Sequence, residues 1–206
     1  MKKIAITGVM GAGKSSVIEI LKEHQYTVLD CDRMNDELLL KGHKGYVALV
    51  EVFKDSILDE HQCIDRQKMS NQIFTNQEHK KIAEGILHPF IKEEIQRQCK
   101  EHEQEDIVFV EVPLLYEIGW ESNFDAIWVV ASEEEYLLER LMKYRGVTRE
   151  EAVRRLQHQM SQKEKVEKAD VVIWNNSNKE DLKQQIYDIL VSIVGVNKYG
   201  KKRGIL

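Results

Sequence analysis

The sequence predicts an α/β fold in which a five-stranded parallel sheet is covered by helices on both faces. Three observations carry that expectation. Five short apolar runs rich in β-branched residues have the length and composition of buried strands. Segments of helical spacing with recognisable starts lie between them. A glycine-rich turn joins the first run to the first helical segment, as at a ligand-binding strand-to-helix junction.

In chain order the strand candidates are residues 3–7, 26–30, 107–112, 126–131 and 170–174, all read as buried on both faces. An amphipathic helix is expected over residues 15–23. Ser132 with Glu135, and Thr148 with Glu151, read as capping boxes that open later helices. Strand and helix alternate, which requires parallel pairing. The alternation breaks between residues 33 and 106, where the patterning is mainly helical and too long for a simple crossover. This stretch reads as a helical lobe inserted at the carboxyl edge of the sheet, where open α/β proteins bind ligands. Residues 141–168, helical and densely charged, read as a lid. The expected organisation is one domain with a core of residues 1–32, 107–140 and 169–196. The basic tail KYGKKRGIL reads as frayed or loosely docked.

Composition narrows the class. The chain of 206 residues is 42% hydrophobic and 32% charged, with two prolines and a formal net charge of -5, which suits one soluble globular domain and argues against duplex nucleic acid as a partner. Cys31, Cys63 and Cys99 are odd in number and scattered, so neither a disulfide framework nor a zinc knuckle is expected. No stretch approaches the ~20 apolar residues of a membrane span. The expectation is a cytoplasmic protein with no membrane partner.

The sharpest motif is Gly8-Val9-Met10-Gly11-Ala12-Gly13-Lys14-Ser15, which matches G-x-x-x-x-G-K-[ST] between a predicted strand and a predicted helix. Glycines allow backbone N–H groups to turn around phosphate oxygens, and the helix amino terminus adds a favourable dipole. Lys14 is expected to reach the β- and γ-phosphates, and the Ser15 hydroxyl to hold Mg²⁺. Gly8, Gly11, Ala12, Gly13, Lys14, Ser15 and Ser16 are thus the candidate nucleotide-binding residues of a P-loop NTPase core. The motif alone does not separate a kinase from a hydrolase or a switch.

Two further features bear on that choice. Asn178-Lys179-Glu180-Asp181 fits the N-K-x-D pattern of guanine-binding switches, but no D-x-x-G accompanies it, and the same residues read as a polar loop opening a helix. Asp30-Cys31-Asp32 ends the second strand, where a carboxylate can take the proton of an acceptor hydroxyl or can cap the helix that follows near Arg33. Phosphoryl transfer needs fixed positive charge, and Arg140 and Arg145 are the best placed of the arginines around the lid.

These residues in combination resemble the dephospho-CoA kinase family over about residues 1 to 190. ITGVMGAGKSS is similar to the family's opening, and VLDCD resembles its D-A-D element, whose second aspartate, here Asp32, is the general base. IDRQKM, containing Arg66, and IFTNQEHKKIAEGILHPFI, containing His88 and Pro89, resemble its helical substrate lobe. VEVPLLYE resembles the segment after the third strand, with Pro113, Leu114 and Glu117 as candidate substrate contacts. The stretch from ERLMKYRG to ADVVIWNN is similar to the lid and last strand, with Arg140, Gln159, Lys165, Ala169, Asp170 and Asn175 in matching places. The resemblance implies a P-loop kinase with a helical substrate lobe and a small helical lid. It implies transfer of the ATP γ-phosphate to the ribose 3′-hydroxyl of dephospho-CoA with Mg²⁺, the last step of coenzyme A biosynthesis. Asp32, Lys14 and Arg140 would be catalytic, with Arg140 and Asn175 also at ATP. A monomer or weak homo-oligomer is expected.

The chain departs from the family pattern at three places. Tyr144 stands where arginine is usual, with Arg145 one place later, and one residue turns a helix by ~100°. Trp174 replaces a commonly acidic residue, and Ser161 stands where proline is frequent. His88 either contacts substrate or shapes a helix boundary before Pro89. Glu111 and Glu117 read as supports for Mg²⁺ or the phosphate acceptor, with a buried, hydrogen-bonded structural carboxylate as the alternative for Glu117.

Overall fold

In a computed structural model that describes residues 1–194, five strands form one parallel sheet in the order β2-β3-β1-β4-β5. The strands are β1 (Lys2–Thr7), β2 (Thr27–Asp30), β3 (Ile107–Glu111), β4 (Ala126–Ala131) and β5 (Val171–Trp174). The inner strands β3, β1 and β4 are buried almost throughout, because helices cover both faces. The edge strands β2 and β5 are only partly buried, which corrects the expectation of five doubly buried strands. An edge strand has a neighbour on one side only, so its side chains meet solvent at the rim.

The helices are α1 (Lys14–Glu23), α2 (Cys31–Leu38), α3 (Lys44–Phe53), α4 (Arg66–Thr75), α5 (Gln77–Glu101), α6 (Glu134–Arg145), α7 (Arg149–Gln157), α8 (Gln162–Glu167) and α9 (Lys179–Val194). The described residues divide into two compact units, one of residues 1–29 and 102–194 and one of residues 30–101. The basic tail lies outside the described residues.

The first unit carries the sheet. Its core stacks the rings of Tyr26, Phe109 and Trp128 edge to face, with centroids 5.5 Å and 4.9 Å apart, among Ile4, Ile6, Val17, Ile20 and Ile186. Each such side chain contributes about 1.5–3 kcal/mol by leaving water. Two aspartates finish the amino ends of inner strands: Asp125 accepts from Lys3 N and Asp170 from Ile127 N, both at 2.7 Å. Asp170 is therefore structural, a strand cap that satisfies a backbone donor at the sheet margin.

The second unit is helical, apart from an isolated bridge between Leu58 and Ile64. Helices α2, α3 and α4 each pack on the 25-residue α5, whose buried stripe is Ala83, Leu87, Ile91, Ile95 and Cys99. Gly45 lets α3 approach α2, since a Cβ there would lie 2.8 Å from the Leu38 carbonyl oxygen. Pro89 sits inside α5, so the His88-Pro89 pair does not mark a helix boundary. Packing on three neighbours outweighs the one backbone bond that proline forgoes.

Candidate phosphate-binding site

At the carboxyl end of β1 the chain turns sharply at Gly8, which backs directly onto β4. A Cβ on Gly8 would lie 2.3 Å from the Val130 carbonyl oxygen, and that backbone is fixed in the sheet. Ala12 N donates to Val9 O at 3.2 Å and closes the loop. Gly13, with φ of 90°, then caps α1 without using a side chain. The first turn of α1 carries no acidic residue, so its dipole faces the loop unopposed.

The loop is braced by two side chains. Pairing of β4 with β5 continues one residue beyond the strands, with Asn175 N donating to Ala131 O at 2.8 Å, and this aims the Asn175 amide at the loop. Its Nδ2 donates to Ala12 O at 3.0 Å. Arg140, on α6 between buried Leu137 and Leu141, donates through Nη1 to Gly11 O (3.4 Å), Ala12 O (3.3 Å) and Ser132 Oγ (3.1 Å) and through Nη2 to Asn175 O (2.7 Å). In a trans peptide the carbonyl and the following N–H point in opposite directions. Holding the Ala12 carbonyl therefore fixes the Gly13 N–H on the opposite side of that peptide, and Gly13 lines the cleft beside the loop.

That cleft, of about 570 Å³, is lined by Gly11, Gly13, Lys14, Ser15, Ser16, Arg140 and Asn175 together with Glu111, Tyr144 and Arg145. Lys14 Nζ donates to Gly8 O at 3.0 Å and is held across the loop. Backbone donors, a helix amino terminus, a lysine and an arginine converge here, a combination that binds a polyphosphate. Tyr144 and Arg145 both line the cleft, so the one-place offset of the arginine leaves it at the cleft wall. The Ser15 and Ser16 hydroxyls and the Glu111 carboxylate are the hard oxygen donors of the set. Among the described residues no three His, Cys, Asp or Glu side chains cluster as metal ligands. A cation here would draw on Ser15, Glu111, phosphate oxygens and water, a hard oxygen set that suits Mg²⁺.

The remaining predicted residues fall elsewhere. Pro113 and Leu114 follow β3, and the Pro113 carbonyl accepts from Thr7 Oγ1 at 3.1 Å. Glu117 accepts from Met160 N at 3.0 Å and pairs with the buried Lys165. None of these three lines the cleft. Asp32, Arg66 and His88 belong to the second unit. Within D-x-D the capping task falls to Asp30, whose Oδ1 accepts from Arg33 N at 3.0 Å, while Asp32 lies in the first turn of α2. Arg66 pairs with Asp36 at 2.8 Å. His88 is half-buried, and its burial lowers its pKa, so the imidazole is neutral at physiological pH.

Two expectations change at helix starts. Ser132 does not cap α6, whose N-cap is Glu133; its hydroxyl donates to Asn175 O and receives Arg140. A full capping box does form at Ser161 and Glu164, opening α8. Asn178 opens α9, its Oδ1 accepting from Glu180 N and Asp181 N at 2.9 and 3.0 Å, while Lys179 pairs with Glu19. N-K-x-D is thus occupied as a helix start. Sequence reasoning missed the part played by Gln159, whose Oε1 accepts from Met10 N at 2.9 Å. Nothing local distinguishes that glutamine from its solvated neighbours.

Comparison with known proteins agrees with this geometry. A family model described as dephospho-CoA kinase matches residues 2–181. The chain is 39% identical over 189 residues to the dephospho-CoA kinase of Carboxydothermus hydrogenoformans, covering 91% of this chain and 92% of that one. A crystal structure of a protein from Thermus thermophilus superposes with a TM-score of 0.83 at 30% identity, covering 93% of this chain and 97% of that one. Dephospho-CoA kinase from Campylobacter jejuni superposes with a TM-score of 0.70 at 29% identity, covering 93% and 96%. The chain belongs to the dephospho-CoA kinase family.

Proposed function

We propose that this protein transfers the γ-phosphate of ATP to the ribose 3′-hydroxyl of dephospho-CoA, giving CoA and ADP in the last step of coenzyme A biosynthesis. The observation that carries the reading is the braced loop: Asn175 and Arg140 hold the Ala12 carbonyl, and both line one cleft with Lys14, Ser15 and Arg145. Membership of a kinase family supplies ATP as the donor.

In the proposed reaction the Asp32 carboxylate takes the proton of the 3′-hydroxyl as its oxygen attacks the γ-phosphorus in line. The bond from that phosphorus to the β-γ bridging oxygen breaks, and ADP leaves with the electron pair. Support for Asp32 is that Asp30 already caps α2, so the second carboxylate of the D-x-D element is not needed for that task. Gly8, Gly11, Ala12, Gly13, Ser16 and Asn175 form the nucleotide cradle. Lys14 binds β- and γ-oxygens, and Arg140 keeps the loop and the developing charge aligned. Mg²⁺, held by Ser15, neutralises phosphate charge when bound. Arg66, His88, Pro113, Leu114 and Glu117 are proposed on the acceptor side, Glu117 by shaping the wall through Lys165.

Residues 33–106 act as the substrate lobe and residues 141–168 as a lid that excludes water from the reacting phosphate. No helix among the described residues is long and apolar enough to cross a membrane. A cytoplasmic monomer or weak homo-oligomer fits the proposal.

The test is ADP release from ATP and Mg²⁺ with dephospho-CoA, a nucleoside monophosphate or a deoxynucleoside as acceptor, with the product weighed by mass spectrometry. The expected result is CoA from dephospho-CoA alone. Turnover confined to another acceptor would transfer the protein to a different kinase activity.

A further inference from the structure

The short segment from Gln159 to Gln162, which leads from α7 into the first residue of α8, is tied to three separate parts of the first unit. Gln159 Oε1 accepts from Met10 N at 2.9 Å, inside the phosphate loop. Met160 N donates to Glu117 Oε1 at 3.0 Å, beyond β3. Gln162 exchanges two bonds with the backbone of Ser132, accepting from its N at 3.0 Å and donating to its O at 2.7 Å. Ser132 in turn receives Arg140, the brace of the loop. The segment is thus a strap whose amino-terminal point is the phosphate loop itself.

We propose that Gln159 is a positioning residue for ATP, setting the shape of the phosphate loop from outside the cleft; this rests on the kinase reading above. Met10 is the only residue between Val9, whose carbonyl closes the loop onto Ala12 N, and Gly11, whose carbonyl receives Arg140. Its N–H, turned away to Gln159, fixes the plane of the Val9-Met10 peptide. Without that acceptor the part-buried N–H must find another partner, and the peptide turns to reach one. The Val9 carbonyl belongs to the same peptide, so the turn loosens the loop closure at Ala12. A carboxamide suits the place because it accepts a hydrogen bond without adding negative charge beside bound phosphates.

The assignment separates ATP from acceptor. Gln159→Leu keeps the bulk and removes the acceptor, and Gln159→Met does the same with a flexible chain. Each is expected to raise the KM for ATP, and the Kd measured by calorimetry without acceptor, by about tenfold, the effect of one part-buried hydrogen bond. The KM for dephospho-CoA should stay within about twofold, and kcat should change less than the KM for ATP. Ser161→Ala is the control, since it removes the capping box of α8 and leaves the contact with Met10 in place. It should lower the melting temperature while ATP affinity holds. A change in kcat alone, equal changes in both KM values, or an equal loss of ATP affinity in Ser161→Ala would overturn the proposal. Failure of both Gln159 variants to fold would also overturn it, by making the residue a folding determinant. If the native chain binds ATP yet does not phosphorylate dephospho-CoA, the kinase reading fails, and the calorimetric comparison still decides the role of Gln159.

Discussion

The ammonium of Lys165, wholly buried, lies 2.8 Å from Glu117 Oε1 and donates to Oε2 at 3.0 Å. The Glu117 side chain is 20% exposed and also accepts from Met160 N, so the pair joins the segment after β3 to the strap before α8. Removing one partner leaves the other charged and largely out of water. Lys165→Ala is therefore expected to cost about 3 kcal/mol, toward the low end for a buried pair because Glu117 keeps some solvent. The measurement is a denaturant titration. Lys165→Met with Glu117→Leu should recover part of the loss, whereas a single variant as stable as the native chain would show that the pair contributes nothing.

Gly13 is held between a left-handed backbone and a side chain. Its φ is 90°, and a Cβ there would lie 2.0 Å from Asn175 Nδ2. Gly13→Ala must displace the amide that braces the loop and adds ~1–2 kcal/mol of backbone strain. ATP affinity should fall by at least about tenfold. Gly146→Ala, also at positive φ but with nothing within 4 Å of the added Cβ, should leave ATP binding unaltered, so calorimetry on the two variants separates strain alone from loss of the brace.

Tyr116 introduces a pH dependence of stability at the alkaline end. Burial, reinforced by the negative charges of Asp170 and Glu121, pushes its pKa from 10.0 up to about 12. The folded state then holds a proton that the unfolded state releases, so the contribution to stability is complete below pH ~10 and is lost as pH rises through about 12. Tyr116→Phe should flatten the decline of the melting temperature over this window. The hydroxyl has no hydrogen-bond partner among the described residues, so this variant should be no less stable near neutral pH. An unchanged alkaline slope would assign the decline to other groups.

Much of the fold was legible because its signals are local. The apolar runs placed all five strands within a residue of their observed ends, and the glycine motif placed the loop. The sheet's edges were harder to read, because β2 and β5 differ from the inner strands in neighbours, not in composition. Thr148 caps α7 as half of its predicted box, its hydroxyl accepting from Glu151 N at 3.2 Å while the Glu151 carboxylate pairs with Arg155. Ser132 follows the same pattern and does not cap, because its hydroxyl is taken by Asn175 and Arg140, residues that only the fold brings near. The contact of Gln159 with Met10 joins residues far apart in sequence, with no spacing rule to announce it. Of the two readings of His88-Pro89, the helix boundary fails for the opposite reason: a strong local breaker is overridden by the packing of α5.

Lys14 and Asp32 divide the proposed chemistry between phosphate and acceptor. Lys14→Ala should reduce kcat by about 10²–10³, as loss of one charge-stabilising donor does. It should also weaken ATP binding, because the ammonium meets the ground-state phosphates as well.

The most direct test of the proposed reaction compares native protein and Asp32→Asn in dephospho-CoA-dependent ADP release, with ATP affinity measured in parallel. The account predicts that kcat falls by about 10²–10⁴, the contribution of a positioned general base, while ATP affinity stays within about twofold. Near-native turnover in Asp32→Asn would contradict Asp32 as the base.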